Sequence, residues 1–286
     1  MNTAVKLGAF AVGMAGVFGV SLGAGKVLGP DPAERPEHVQ SGEPAAHEDH
    51  GAHGDEAAAE PAAVSDLAIS RQDAPDGRFA FRVTGRDGKP VTAYDVEHDK
   101  KMHLIVVRRD LSGFRHVHPE LRPDGVWEVE SPLGEPGSYR AFADFKPTGG
   151  SAQVLTLDAE APGTATERPL PAPSDTAEVD GYTVTLDGTL TAGRTSELTL
   201  TVNKDGKPVT DLQPYLGAYG HLVALRKDDL AYLHVHPEGA PGDGKTASGP
   251  DITFFAEAPT GGDHRLYLDF QHEGQVRTAE FTVHVH

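Results

Sequence analysis

MHLIVVRRDLSGFRHVHPE, residues 102 to 120, is an apolar run, a polar turn and a second strand-like segment. A relative of it returns at residues 221 to 238 as HLVALRKDDLAYLHVHPE, with the pentapeptide HVHPE unchanged. The two copies organise the chain. DGKPVT at Asp87 to Thr92 returns at Asp205 to Thr210, His103-Leu104 at His221-Leu222, and His116 and His118 at His234 and His236, all with the same offset of 118 positions. After HVHPE the register slips by seven residues, so YRAFADF from Tyr139 aligns with HRLYLDF from His264. The slip falls in GAPGDGKTASGPD, which reads as a loop insertion. One unit has been duplicated.

Around these copies the chain reads as short strands. RFAFRVTG alternates, KMHLIVVRR is a continuous apolar run, GSYRAFADFKP alternates again and SAQVLTLDA closes the first block. GYTVTLDG, SELTLTVN, GHLVALRK, ITFFAEAP, HRLYLDF and RTAEFTVHVH follow in the second. Strands bounded by Gly, Pro and Asp at intervals of about ten residues point to antiparallel sandwiches. No stretch keeps a helical period over three turns. With 33 Gly and 22 Pro, the composition favours turns over long helices. The expected fold is all-β: two tandem immunoglobulin-like antiparallel β-sandwich domains, residues 65–160 and 179–286, joined by a Pro-rich linker at 161–178.

Ahead of them, residues 1–28 read as a signal peptide or N-terminal membrane anchor. Lys6 precedes an uncharged run from Leu7 to Gly25, and Lys26 follows it; about 18–20 apolar residues suffice to span a bilayer. No clear A-x-A cleavage site follows directly, which favours an uncleaved membrane helix. Either way the bulk of the chain is expected outside the cytoplasm, with Lys6 inside. Residues 29–64 are rich in Pro, Ala and Glu and have almost no large apolar residue, the composition of a disordered tether. Within it, HEDHGAHGDE sets His47, His50 and His53 three apart among carboxylates. Such tracts bind metal loosely or are simply polar linkers.

Composition excludes several functions. The formal net charge is -18, which repels a phosphate backbone, so no nucleic-acid partner is expected. With no cysteine there are no disulfides, zinc–thiolate sites, iron–sulfur clusters or thiol nucleophiles. There is no G-x-S-x-G elbow, P-loop or dinucleotide fingerprint, and the chain is not expected to be an enzyme. Against the absent cysteines stand 15 histidines. A metal here would be held by nitrogen and oxygen.

In each copy the apolar run and HVHPE form a candidate hairpin. His116 and His118, two apart on a strand, share a face. A register that pairs His103 with His118 brings three imidazoles together, and the same register in the second copy pairs His221 with His236, with His234 beside them. A shift of one residue would send His103 to the other face. His103, His116 and His118, and likewise His221, His234 and His236, are therefore candidate ligands for a copper or zinc ion. Met102, the one sulfur nearby, points away from His103. Asp144 and Asp269 are candidates to orient an imidazole. The other reading is structural: an H-x-H pair pins a hairpin through ordinary hydrogen bonds. The terminal His284 and His286 read as a strand end, and His272 carries little weight.

The segment MHLIVVRRDLSGFRHVHPE resembles part of exported bacterial proteins of the YtkA-like and heavy-metal-associated kind, over residues 102–120 and 221–238. That resemblance implies an immunoglobulin-like sandwich in the cell envelope and copper handling. The functional expectation is a cell-envelope protein that buffers or delivers copper or zinc, held to the membrane by its N-terminal segment. The alternative is an envelope scaffold or interaction module in which the histidines brace β-hairpins.

Overall fold

The structure, a computed structural model, describes residues 66–286, and of His234 the backbone. The expected anchor at 1–28, the tether at 29–64 and its histidines lie outside the described residues. Every regular element among the described residues is a strand, and none of these residues forms a helix long and apolar enough to cross a membrane.

The first sandwich has eight strands: β1 (Ala68–Gln72), β2 (Arg78–Thr84), β3 (His103–Arg108), β4 (Arg115–Val117), β5 (Glu120–Leu121), β6 (Val126–Glu130), β7 (Gly137–Phe145) and β8 (Gln153–Ala161). They form two antiparallel sheets, ordered β1-β2-β6-β5 and β4-β3-β7-β8. Alternation builds the core between them. Phe79, Phe81 and Val83 of β2 meet Leu104 and Val106 of β3, Trp127 of β6 and Tyr139, Ala141 and Ala143 of β7. Met102 is also in this core, on the opposite face from His103.

The second sandwich follows the same plan with additions. Its strands are β9 (Thr176–Val179), β10 (Tyr182–Asp187), β11 (Thr195–Lys204), β12 (Lys207–Pro208), β13 (Gly220–Arg226), β14 (His234–Pro237), β15 (Asp251–Glu257), β16 (Gly262–His272) and β17 (Gln275–Val285). One sheet runs β14-β15-β11-β10-β9, with β12 on β11, and the other β13-β16-β17. Leu198, Leu200, Phe254, Leu222, Leu268 and Phe281 are among the residues between them.

The apolar runs of β3 and β13 do not alternate because both of their faces are covered. Leu104 and Val106 face the first core, while Ile105 and Val107 enter a third cluster. That cluster joins the two sandwiches: Ile105, Val107, Leu111, Phe114 and Phe142 meet Val223, Leu225, Leu230 and Tyr267. The contact is close to two-fold. Phe114 stacks on Tyr267 with centroids 4.1 Å apart, and its counterpart Tyr232 lies 5.7 Å from Phe142, the counterpart of Tyr267. Equivalent residues meet reciprocally, as across an isologous dimer interface. The Pro-rich linker is tied into this arrangement. Arg108 Nη2 donates to Thr166 O at 2.7 Å, Arg168 N donates to Asp110 Oδ2 at 2.9 Å, and Leu170 packs on the shared cluster.

Candidate metal centre

The first hairpin has the register read from the sequence: Leu104 pairs with Val117, Ile105 with His116 and Val106 with Arg115. His116 therefore lies on the face of Ile105, toward the second sandwich. The second hairpin corrects the expectation. Leu225 still bridges Tyr232, and Leu233 N donates to Ala224 O. The chain then leaves β13, and β14 pairs with β15, setting His234 across from Glu257 and His236 across from Phe255. His236 is not the strand partner of His221. The cause lies in the preceding residue. Leu233, 2% exposed, plugs the core while its backbone is still bonded to β13. Its equivalent, Arg115, is exposed and does not enter the core.

Two groupings of metal-ligating atoms occur among the described residues: His103 with His116 and His118, and His116 with His221 and Asp269, each with its atoms within 4.8 Å of one another. They share His116, which faces His103 through Nε2 and Asp269 through Nδ1, so the second copy's His221 and Asp269 adjoin the first copy's three histidines. The His103 and His221 rings stack at 5.6 Å and 7°. His116 lies 4.7 Å from His221, and His118 lies 4.9 Å from His116 and 5.1 Å from His103.

Partners outside the cluster fix where the ring protons sit. His103 Nε2 is 3.1 Å from Glu97 O, which only accepts, so Nε2 carries the hydrogen and Nδ1 is bare. His116 Nδ1 donates to Asp269 Oδ2 at 2.8 Å, which leaves Nε2 bare when the ring is neutral. Thr278 Oγ1 donates to the other oxygen of Asp269 at 2.6 Å and holds that carboxylate in place. The two bare nitrogens, His103 Nδ1 and His116 Nε2, face each other at 3.1 Å. Two lone pairs at that distance repel unless a proton or a metal ion stands between them. His118 Nε2 and His221 Nδ1 are buried without a hydrogen-bond partner. Of these four ring nitrogens, two are opposed and two are buried without a partner. A tetrahedral ion with nitrogen ligands at about 2.0–2.1 Å sets neighbouring nitrogens about 3.3 Å apart, near the spacing of the facing pair. Asp269 then holds His116 as carboxylates commonly hold metal-bound imidazoles.

Burial pushes His103 down to about 4 and His118 down to about 3, and holds His221 well below the ordinary imidazole range. Neighbouring rings and, for His103 and His118, the Lys100 ammonium act in the same direction. At neutral pH these three rings are uncharged, the form that ligates a metal.

Sequence reasoning named Asp269 as an orienting carboxylate but missed His98 and which copy's histidine Asp269 serves. His98 lies 6.1 Å from both His103 and His221, at the first position of a two-residue turn with φ of 48° and 63°. The matching turn in the second copy carries Leu216 and Gly217, also at positive φ. The two turns share no residue in sequence, EHDK at 97–100 against YLGA at 215–218, so nothing local marked His98. The service of Asp269 to the other copy's His116 had no local signal either, because it depends on how the sandwiches pack. Asp144 is placed differently: Tyr232 Oη reaches its Oδ2 at 3.5 Å. The remaining histidines are spread elsewhere. His272 accepts from or donates to Tyr182 Oη at 2.7 Å, and His284 Nδ1 lies 2.8 Å from Asp263.

None of the curated proteins compared with this chain matches it. Among solved structures it is similar to domains 4 and 5 of the S-layer protein SbsC, at 10% identity and TM-score 0.23 over 77% of this chain and 98% of that one. It is also similar to the adhesin InvE of Yersinia pseudotuberculosis, at 12% identity and TM-score 0.22 over 76% of this chain. This chain spans 60% of the adhesin's length. At these scores neither likeness carries an argument about this chain. The family model described as Domain of unknown function (DUF8832) matches residues 66–163 and 177–286, most of the chain and both sandwiches, and the chain belongs to that family.

Proposed function

We propose that this chain binds one divalent copper or zinc ion between its two repeats and buffers or delivers it outside the cytoplasm. The ligands are His103 Nδ1, His116 Nε2 and His118 Nε2, which belong to one close grouping, with His221 Nδ1 moving in from beside His116 as the fourth and Asp269 orienting His116. The observation that carries the reading is the pair of bare nitrogens, His103 Nδ1 and His116 Nε2, opposed at 3.1 Å. A buried arrangement of that kind calls for a cation. All four donors are imidazoles, which suit both ions, and copper(II) is held more tightly than zinc at such sites. Met102 is in the core and adds no sulfur. Copper handling is also what the likeness of residues 102–120 to YtkA-like proteins implies. The extracytoplasmic location rests on the apolar run after Lys6. The sandwiches are read as immunoglobulin-like on the same resemblance.

A second reading has its own support. The bonds from His103 to Glu97 and from His116 to Asp269 would also brace the contact between the copies, with a proton between the facing nitrogens. Calorimetric titration with copper(II) separates the two. The full chain carrying His47→Ala, His50→Ala and His53→Ala silences the tether. About one equivalent should bind, and binding should vanish when His116→Ala and His118→Ala are added, with the β-sheet circular dichroism intact. No binding, or equal binding by both proteins, makes the bracing role the better account.

A further inference from the structure

The two sides of the His103–His221 stack differ. On one side the first hairpin lays His116 beside both rings of the stack and His118 beside His103. On the other, β14 has crossed to β15, and a cavity of about 280 Å³ lies there, walled in part by His98, His103, Tyr232, His221 and His236. The imidazoles on this wall are graded in exposure. His98 and His236 are exposed, His221 is partly buried and His103 is 4% exposed. His103 and His221 belong both to this wall and to the buried cluster. The turn that carries His98 lies beside its counterpart, with Gly217 next to the His98 backbone.

We infer that this cavity is the route by which the ion enters and leaves the buried histidines, with His98 and His236 as transient ligands at its mouth. The inference rests on the metal reading above and adds the path. A divalent ion cannot shed its water into an apolar interface without replacement donors. The graded wall supplies them in sequence. Each metal–water bond that breaks is replaced by a metal–nitrogen bond, first to His98 or His236, then to His221 and His103. The apolar contact of Ile105, Val223 and their neighbours stays closed throughout. No electron or proton transfer is required, only exchange of neutral donors on the ion.

Stopped-flow mixing with copper(II) chloride, followed by stripping with EDTA, tests the route. The protein is the full chain with the three tether histidines replaced by alanine, compared with the same chain carrying His98→Asn and His236→Gln. Asparagine suits the positive φ of position 98. Association and stripping should both slow by about tenfold, while the equilibrium Kd stays within about twofold, because a transient ligand speeds both directions alike. A Kd weakened as much as the rate would make these two resident ligands and overturn the inference. Unchanged rates with normal affinity would overturn it too and leave the metal reading standing. A parent protein that takes up no copper would overturn both.

Discussion

HVHPE is used in two ways in one molecule. In the first copy His116 and Val117 stay on β3, with His116 against the opposite sandwich, and the chain crosses to β6 only at Glu120. In the second it crosses to β15, and its space against the His103–His221 stack is a cavity. The five residues are identical, so the difference lies outside them. Leu233 stands where the first copy has Arg115, and apolar burial draws the chain across before His234. β15 is also longer than β6, seven residues against five, and pairs with all four residues of β14. A duplicated motif is therefore a weak guide to a duplicated arrangement: sandwich packing sets His221 and Asp269 of the second copy beside the first copy's histidines and leaves His236 on another strand pairing.

The sharpest way to break this comparison is to remove the same histidines from each copy. His116→Ala with His118→Ala should weaken copper(II) binding by roughly a thousandfold or more, about 4 kcal/mol. His234→Ala with His236→Ala should change it less than about twofold at equilibrium. Equal losses from both copies, measured by competition with a chelator, would restore two equivalent sites.

The two-fold packing makes the next test. Phe114→Ala should cost about 3 kcal/mol in denaturant unfolding, since Phe114 is buried and stacked at 4.1 Å. Tyr232→Ala removes the looser counterpart and should cost less, about 1–2 kcal/mol. A reversed order would contradict the described interface.

The two carboxylates sharpen it further. Asp269→Asn leaves His116 without its acceptor and should weaken copper(II) about 10- to 100-fold. Asp144→Asn, at the equivalent strand position, should have little effect. Titrations of the two variants side by side read the difference directly.

The smallest effect is on the pH dependence of the metal-free protein. His103 and His118 have folded pKa values below that of the unfolded chain, so the unfolded state takes up protons first as pH falls. Their contribution is fully present above about 6.5 and is lost as pH falls toward 4 for His103 and 3 for His118. Urea midpoints at a series of pH values should fall less steeply for His103→Gln than for the parent. Parallel slopes would count against neutral, buried rings.

Much of this was written in the sequence. Period-two alternation in RFAFRVTG and GSYRAFADF marks strands with one buried face, and DGKPVT and HVHPE expose the duplication. The register that puts His103, His116 and His118 on one face was one of the possible pairings, and the first hairpin has it. HLIVVR also held a clue to the interface, since an unbroken apolar strand needs cover on both sides. What covers it was not legible. Docking of one sandwich on the other joins residues far apart in sequence, such as His116 and Asp269, and no local pattern encodes that pairing. The single substitution of Leu233 for Arg115 was visible, but its consequence depends on the core it enters.

The central claim is that one ion is held by both copies at once. Electron paramagnetic resonance of the copper(II)-loaded chain, with the tether histidines replaced, counts the nitrogens on the ion. Four imidazole nitrogens are expected, falling to three in His221→Gln, a residue of the second copy, while His116 and His118 remain. A spectrum that His221→Gln leaves unchanged would contradict a site shared between the repeats.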